Sequence, residues 1–363
     1  MRQVLSRYSW FYPALGALLC VITLCAAFIA SGAHAATTLM QQHGLLIPSS
    51  LPAPGIRWRF DGGYVDELSH RLYQTDTTNA AVHIFDLSTR KEIGLIHGFA
   101  GLSSMGIDHN GPNHVLGIGQ EKEIAVSDGD GTIKIFDVQS PTHPQLVQKM
   151  WLGGTGRTDA MAWDGEDQVL AVVNSAPADS FVTFLSTRPL QILKKVSFTT
   201  AQGIRGLDDI RFDPLTHHFF LSAESSGTPA TPYPYGALVE LSPQRVIHTY
   251  AIPYVCDPSG LATSDGTVAL ACAAGNPLLF PGGGFVQVPF GNGSDFVAAS
   301  ARYFLFAASG DTRGSALLVT DLHGRLLQRI ATAPGSHSVT ASSSGAVYVP
   351  ESGEGIVIFG DEE

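Results

Sequence analysis

The sequence predicts an all-β chain folded as a seven-bladed β-propeller, with about four antiparallel strands per blade and a ring closed by an N-terminal strand. Three observations predict it. The chain carries 39 Gly and 21 Pro among 363 residues and only 15% charged residues, a punctuation that breaks long helices and suits short strands joined by tight turns. The stretch from Glu123 to Val138 reads as a half-buried antiparallel hairpin: an apolar run enters the Asp/Gly-rich turn Asp128 to Gly131, and an alternating run leaves it. Variants of that unit then recur along the chain at intervals close to the length of a propeller blade.

At the start of the chain, Arg2 and Arg7 precede an apolar run from Ala14 to Ala30. Ala33-His34-Ala35 then supplies the small-x-small pattern that a signal peptidase reads. Residues 1–35 are therefore expected to be a signal peptide, with an uncleaved anchor as the alternative. Cleavage leaves one β-propeller domain over residues 36–363, periplasmic or secreted, with no stable membrane anchor. Loss of Arg2 and Arg7 takes Lys+Arg from 21 to 19 against 32 Asp+Glu, a formal charge of −13. That balance argues against nucleic acid and anionic membrane as partners.

The same cleavage removes Cys20 and Cys25 and leaves Cys256 and Cys272. The turn at Ser264-Asp265-Gly266 brings the entry of one strand beside the exit of the next. A disulfide between the two is expected in an oxidising compartment; two reduced, buried thiols are the alternative. The pair lacks the second pair that a structural zinc site needs.

The units follow in order. The first runs from Arg59-Phe60-Asp61 through Tyr64-Val65-Asp66 and Arg71 to Gln74, and on to Val82 to Leu87. The second is expected to open at Leu102 to Asp108 and to contain the hairpin. Later openings are read at Gly156 to Asp164, Gly206 to Asp213, Cys256 to Ala262, Gly293 to Val297 and Gly335 to Val339. Counted from Asp61, Ser103, Asp159, Asp208, Asp257, Asp295 and Ser338, successive openings lie 38 to 56 residues apart, the length of a four-stranded blade. The seventh unit has about three strands of its own, and Gly44 to Ser49 is expected to supply the fourth.

Several of these phrases carry a family likeness. Arg59-Phe60-Asp61, Ser127 to Thr132, Cys256 to Ala262, Ala271-Cys272, Gly335 to Ser338 and Val347 to Pro350 resemble YVTN-type (YncE-like) seven-bladed propellers of exported bacterial proteins. The likeness covers nearly all of the mature chain, although no Y-V-T-N tetrapeptide occurs in it. It implies the propeller fold and leaves the activity open.

Blade openings project toward one end of a propeller's channel. Asp159, Asp208, Asp209, Asp257, Asp295 and His337 are thus expected to converge there as a ligand-binding mouth. Asp76, Asp128, Asn174, Glu224, Asp311 and Glu351 are expected to form an outer ring. Carboxylates around one mouth repel one another and favour a cation, whereas Asp in such turns also caps nearby backbone amides. His217-His218 reads as a solvated turn. The function that follows is a monomeric binding scaffold with no catalytic residue and no cofactor, its partner a protein, a peptide or a small polar ligand. The alternative rests on a second likeness: Leu207 to Ile210 and Pro258 to Ala262 are similar to openings of gluconolactonases and regucalcin-like hydrolases. That likeness implies a divalent ion polarising a lactone carbonyl, held, if present, by Asp208, Asp209, Glu224 and Asn174.

Overall fold

Each apolar run becomes a strand, and almost every strand pairs with its neighbours in sequence. The computed structural model describes residues 40–119, 122–176, 180–227 and 232–360; the expected signal peptide lies outside them. Within the described residues the strands form seven antiparallel sheets of four. The only helical pieces there are two short 3-10 turns, Ile107–His109 and Thr200–Gln202. No helix among the described residues is long and apolar enough to cross a membrane.

In each sheet one end strand lies innermost. These strands are Phe60–Asp66, Val115–Ile118, Thr158–Asp164, Ile204–Asp213, Pro258–Ser264, Ser294–Ala299 and Thr340–Ala341. Each touches the inner strand of the next blade, and the seventh touches the first, so the ring is closed around a central channel. The seventh sheet is completed by Gln41–Leu46, which pairs antiparallel with Gly355–Gly360. This closing strand starts earlier than Gly44 and stops before Pro48, which has no amide hydrogen to give to a ladder. Neighbouring blades hold it on both sides. The Gln328 side chain receives the Met40 amide at 2.8 Å and donates to the Met40 carbonyl at 2.9 Å, and Arg90 donates to the His43 carbonyl at 2.7 Å.

The apolar interior consists of seven separate clusters, one at every junction between adjacent blades. A strand's period of two accounts for this. In the second blade Ile124, Val126 and Phe136 pack toward the first blade, while Ala125, Ile133 and Ile135 pack toward the third. The hairpin read as half-buried is therefore buried on both faces. Lys134, which marks a solvent face in the sequence, is 3% exposed. Its ammonium group pairs with Asp128 and donates to the Gly98 carbonyl at 2.8 Å, as burial of a charge requires.

Two further expectations are corrected. The second blade opens at Val115–Ile118 and not at Leu102 to Asp108. The earlier segment is a loop with Leu102, Met105 and Ile107 exposed, and its Gly101 and Gly106 take φ of 70° and 110°, outside the strand region. His217 does lie in a turn, but His218 enters the next strand and places Nδ1 2.6 Å from Glu240. Cys256 and Cys272 form the expected disulfide across Cα atoms 4.5 Å apart, and the intervening turn passes through Asp265 and Gly266, both at positive φ.

Candidate functional site

In five blades the register of the inner strand breaks at the same place. The breaks fall between Phe60 and Gly63, Thr158 and Met161, Leu207 and Ile210, Pro258 and Leu261, and Ser294 and Phe296. An extra residue on one strand of a ladder bends the chain and re-aims its side chains. The residues released from the ladder are Asp61 with Gly62, Asp159 with Ala160, Asp208 with Asp209, Ser259 with Gly260, and Asp295. All but Gly62 and Ser259 of these line one cavity of about 200 Å³, which Asn113 and His114 of the second blade and His337 of the seventh complete. A single backbone device, repeated around the ring, thus gathers the polar side chains at one end of the channel.

The fit around His114 is close. A β-carbon at Gly62 would lie 2.1 Å from His114 Cδ2, so only glycine leaves room for the imidazole there. Burial, with Arg211 nearby, pushes His114 down to about 3, so the ring is neutral at physiological pH.

The charges in the cavity are only partly matched. Asp159 pairs with Arg157 at 2.6 Å, and Asp295 accepts from His337 Nδ1 at 2.9 Å. Burial opposes charge on His337, but the hydrogen bond and charge of Asp295 prevail and raise its pKa. Asp209 is satisfied by the amides of Ile210 (2.8 Å) and Leu261 (2.7 Å) and by Arg211 at 2.9 Å. Burial nonetheless pushes it up to about 6. The carboxylates of Asp61 and Asp208 have no ion-pair or hydrogen-bond partner among the described residues. Burial, then repulsion from Asp295 and Asp159, holds Asp208 well above the usual carboxylate range. Burial takes Asp61 up to about 7, although His337 pulls it down. Arg59 also lines the cavity and has no ion-pair partner among the described residues.

A second cavity of about 330 Å³ adjoins the first and shares Arg59, Asp295 and His337 with it. It adds Trp58 and Phe60, whose rings stack 5.7 Å apart.

Of the residues expected at the mouth, Asp159, Asp208, Asp209, Asp295 and His337 line the inner cavity. Asp257 does not. It sits at φ 51° beside the disulfide, 3.7 Å from Arg205, which also pairs with Glu224 at 2.6 Å and lies over the Tyr233 ring. Ser259 and Gly260 take the fifth blade's place at the bulge. The expected outer ring is largely spent on local structure. Asp76 receives the Thr78 amide and His83, Asp128 holds Lys134, and Asp311 receives the Arg313 amide.

The set Asp208, Asp209, Glu224 and Asn174 is not brought together. Asp209 and Glu224 are committed to arginines, and Asn174 lies outside the cavity lining. Among the described residues no group of three or more His, Cys, Asp or Glu side chains is placed to hold a metal ion. Asp61, Asn113, His114, Arg59 and Arg157 were not singled out by sequence. The signal for Asp61 was available, because Asp61, Asp159 and Asp208 each stand five residues before the aspartate that ends the inner strand (Asp66, Asp164, Asp213).

A comparison with models of known protein families gives no match, and a comparison with curated proteins gives none either. The functional reading therefore rests on the geometry of the channel.

Proposed function

We propose that the protein is an exported binding scaffold that holds a small polar ligand in the acidic end of its channel. One observation carries this reading: the carboxyls of Asp61 and Asp208 stand in a walled cavity with no ion-pair or hydrogen-bond partner among the described residues, next to carboxylates that already have theirs. A bound cationic group supplies what the cluster lacks and relieves the repulsion. Export is supported by the Cys256–Cys272 bond, which suits an oxidising compartment, and by the likeness to YVTN-type propellers. Titration calorimetry with ethanolamine as the probe cation tests the reading. The intact protein is expected to bind it, and Asp208→Asn is expected to weaken binding by about tenfold, roughly 1.4 kcal/mol. Absence of binding, or equal binding by the variant, overturns the proposal.

A further inference from the structure

We infer that the ligand is a small zwitterion, an amino acid or a short peptide, whose ammonium group meets Asp208 and whose carboxylate meets Arg59. The inference rests on the scaffold reading and deepens it. Arg157, the other arginine lining the inner cavity, is paired with Asp159. Arg59 has no such partner among the described residues, and it lines both cavities. Its positive charge acts on His337, which lines both as well. The wall thus offers an unpaired guanidinium group and unpaired carboxyl groups to adjoining spaces. A simple cation leaves Arg59 unanswered, and a simple anion leaves Asp61 and Asp208 without a partner. A molecule carrying both charges satisfies each, and guanidinium is the group best suited to a carboxylate.

Two buried polar side chains point to a ligand independently of the charges. Asn113 is 1% exposed and donates from its amide nitrogen to the Thr158 carbonyl at 2.8 Å, yet its Oδ1 has no partner among the described residues. His114 is 7% exposed, and its Nδ1 has no partner among the described residues either. Both line the inner cavity. Unsatisfied buried groups are costly, and an ammonium or peptide N–H group is the natural complement of the Asn113 oxygen. Trp58 and Phe60 in the adjoining cavity present an apolar wall to whatever side chain the ligand carries.

Calorimetry with matched pairs decides it: alanine against ethylamine, and lysine against 1,5-diaminopentane, with propionate as the anion alone. Each amino acid is expected to bind at least about tenfold more tightly than the amine lacking its carboxylate, and propionate is expected not to bind. In Arg59→Gln, checked for its fold by circular dichroism, the advantage of the amino acid over its amine is expected to vanish. If that variant does not fold, Arg59→Lys is expected to narrow the same ratio. Amines that bind intact protein as tightly as their amino acids overturn the zwitterion and leave the scaffold reading standing. If neither class binds, both fall.

Discussion

The carboxylate of Asp209 in the fourth blade accepts the backbone amide of Leu261 in the fifth at 2.7 Å. Arg211, paired with that carboxylate at 2.9 Å, donates to the Leu261 carbonyl at 2.9 Å. Two side chains of one inner strand thus grip both polar groups of one residue on the next. The channel-facing edge of an inner strand has no ladder partner, and such edges need another way to satisfy their backbone.

From this clamp, Asp209→Asn is expected to lower stability by about 1.5–3 kcal/mol, the range for a hydrogen bond to a charged group. Arg211→Gln is expected to act similarly. Because the two residues form one unit, the double variant should cost clearly less than the sum of the singles. Urea unfolding midpoints measure all three, and strict additivity would show that the clamp does not act as a unit.

Ring closure makes a prediction at Leu46, which is fully buried in the junction of the seventh and first blades. Leu46→Ala is expected to cost about 2–5 kcal/mol, as other buried leucines do. Ile47, next in sequence, is 61% exposed, and Ile47→Ala should stay within about 0.5 kcal/mol. Comparable losses at the two positions in thermal unfolding would contradict the closing strand as placed.

The disulfide joins the entry of the fifth blade to the exit of its second strand. Mass spectrometry of the unreduced protein should find the peptides bearing Cys256 and Cys272 linked. Replacing both by serine is expected to remove about 2–4 kcal/mol of stability. Quantitative alkylation of both thiols without a reductant would refute the bond.

Asp61 gives a pH dependence with a definite sign. Its folded pKa, about 7, lies above the ordinary 3.8. The folded state therefore prefers the protonated acid: this stability is fully present below about pH 4 and is lost as pH rises through 7. Asp61→Asn removes the loss, so its stability relative to the intact protein should increase from pH 4 to pH 8. A difference that does not change with pH would mean that Asp61 titrates normally. The cost of a charged Asp61 is what a binding site built of crowded carboxylates implies.

What the sequence by itself determined is the repeat. Alternating apolar runs such as Ile133 to Phe136, set between Gly- and Asp-rich turns, allow little but short antiparallel strands, and seven such units leave a ring as the way to cover every edge. The disulfide was legible for the same reason, since a tight turn dictates which strand ends meet. Local pattern failed where an apolar segment had no partner, as at Leu102 to Ile107, and that error hid Asn113 and His114.

The tertiary structure alone decided which aspartates face the channel and which are consumed. Asp208 and Asp209 are neighbours in one bulge, yet Asp209 is bonded to Leu261 and Arg211 while the Asp208 carboxyl has no hydrogen-bond or ion-pair partner among the described residues. Asp257 looks equivalent in sequence, but it turns toward Arg205 because the fifth blade's bulge begins two residues later, at Ser259. Contacts between blades, such as Asp209 with Leu261 and Asp295 with His337, join residues 52 and 42 positions apart that only the packing of adjacent blades brings within hydrogen-bonding distance, and no local periodicity records them.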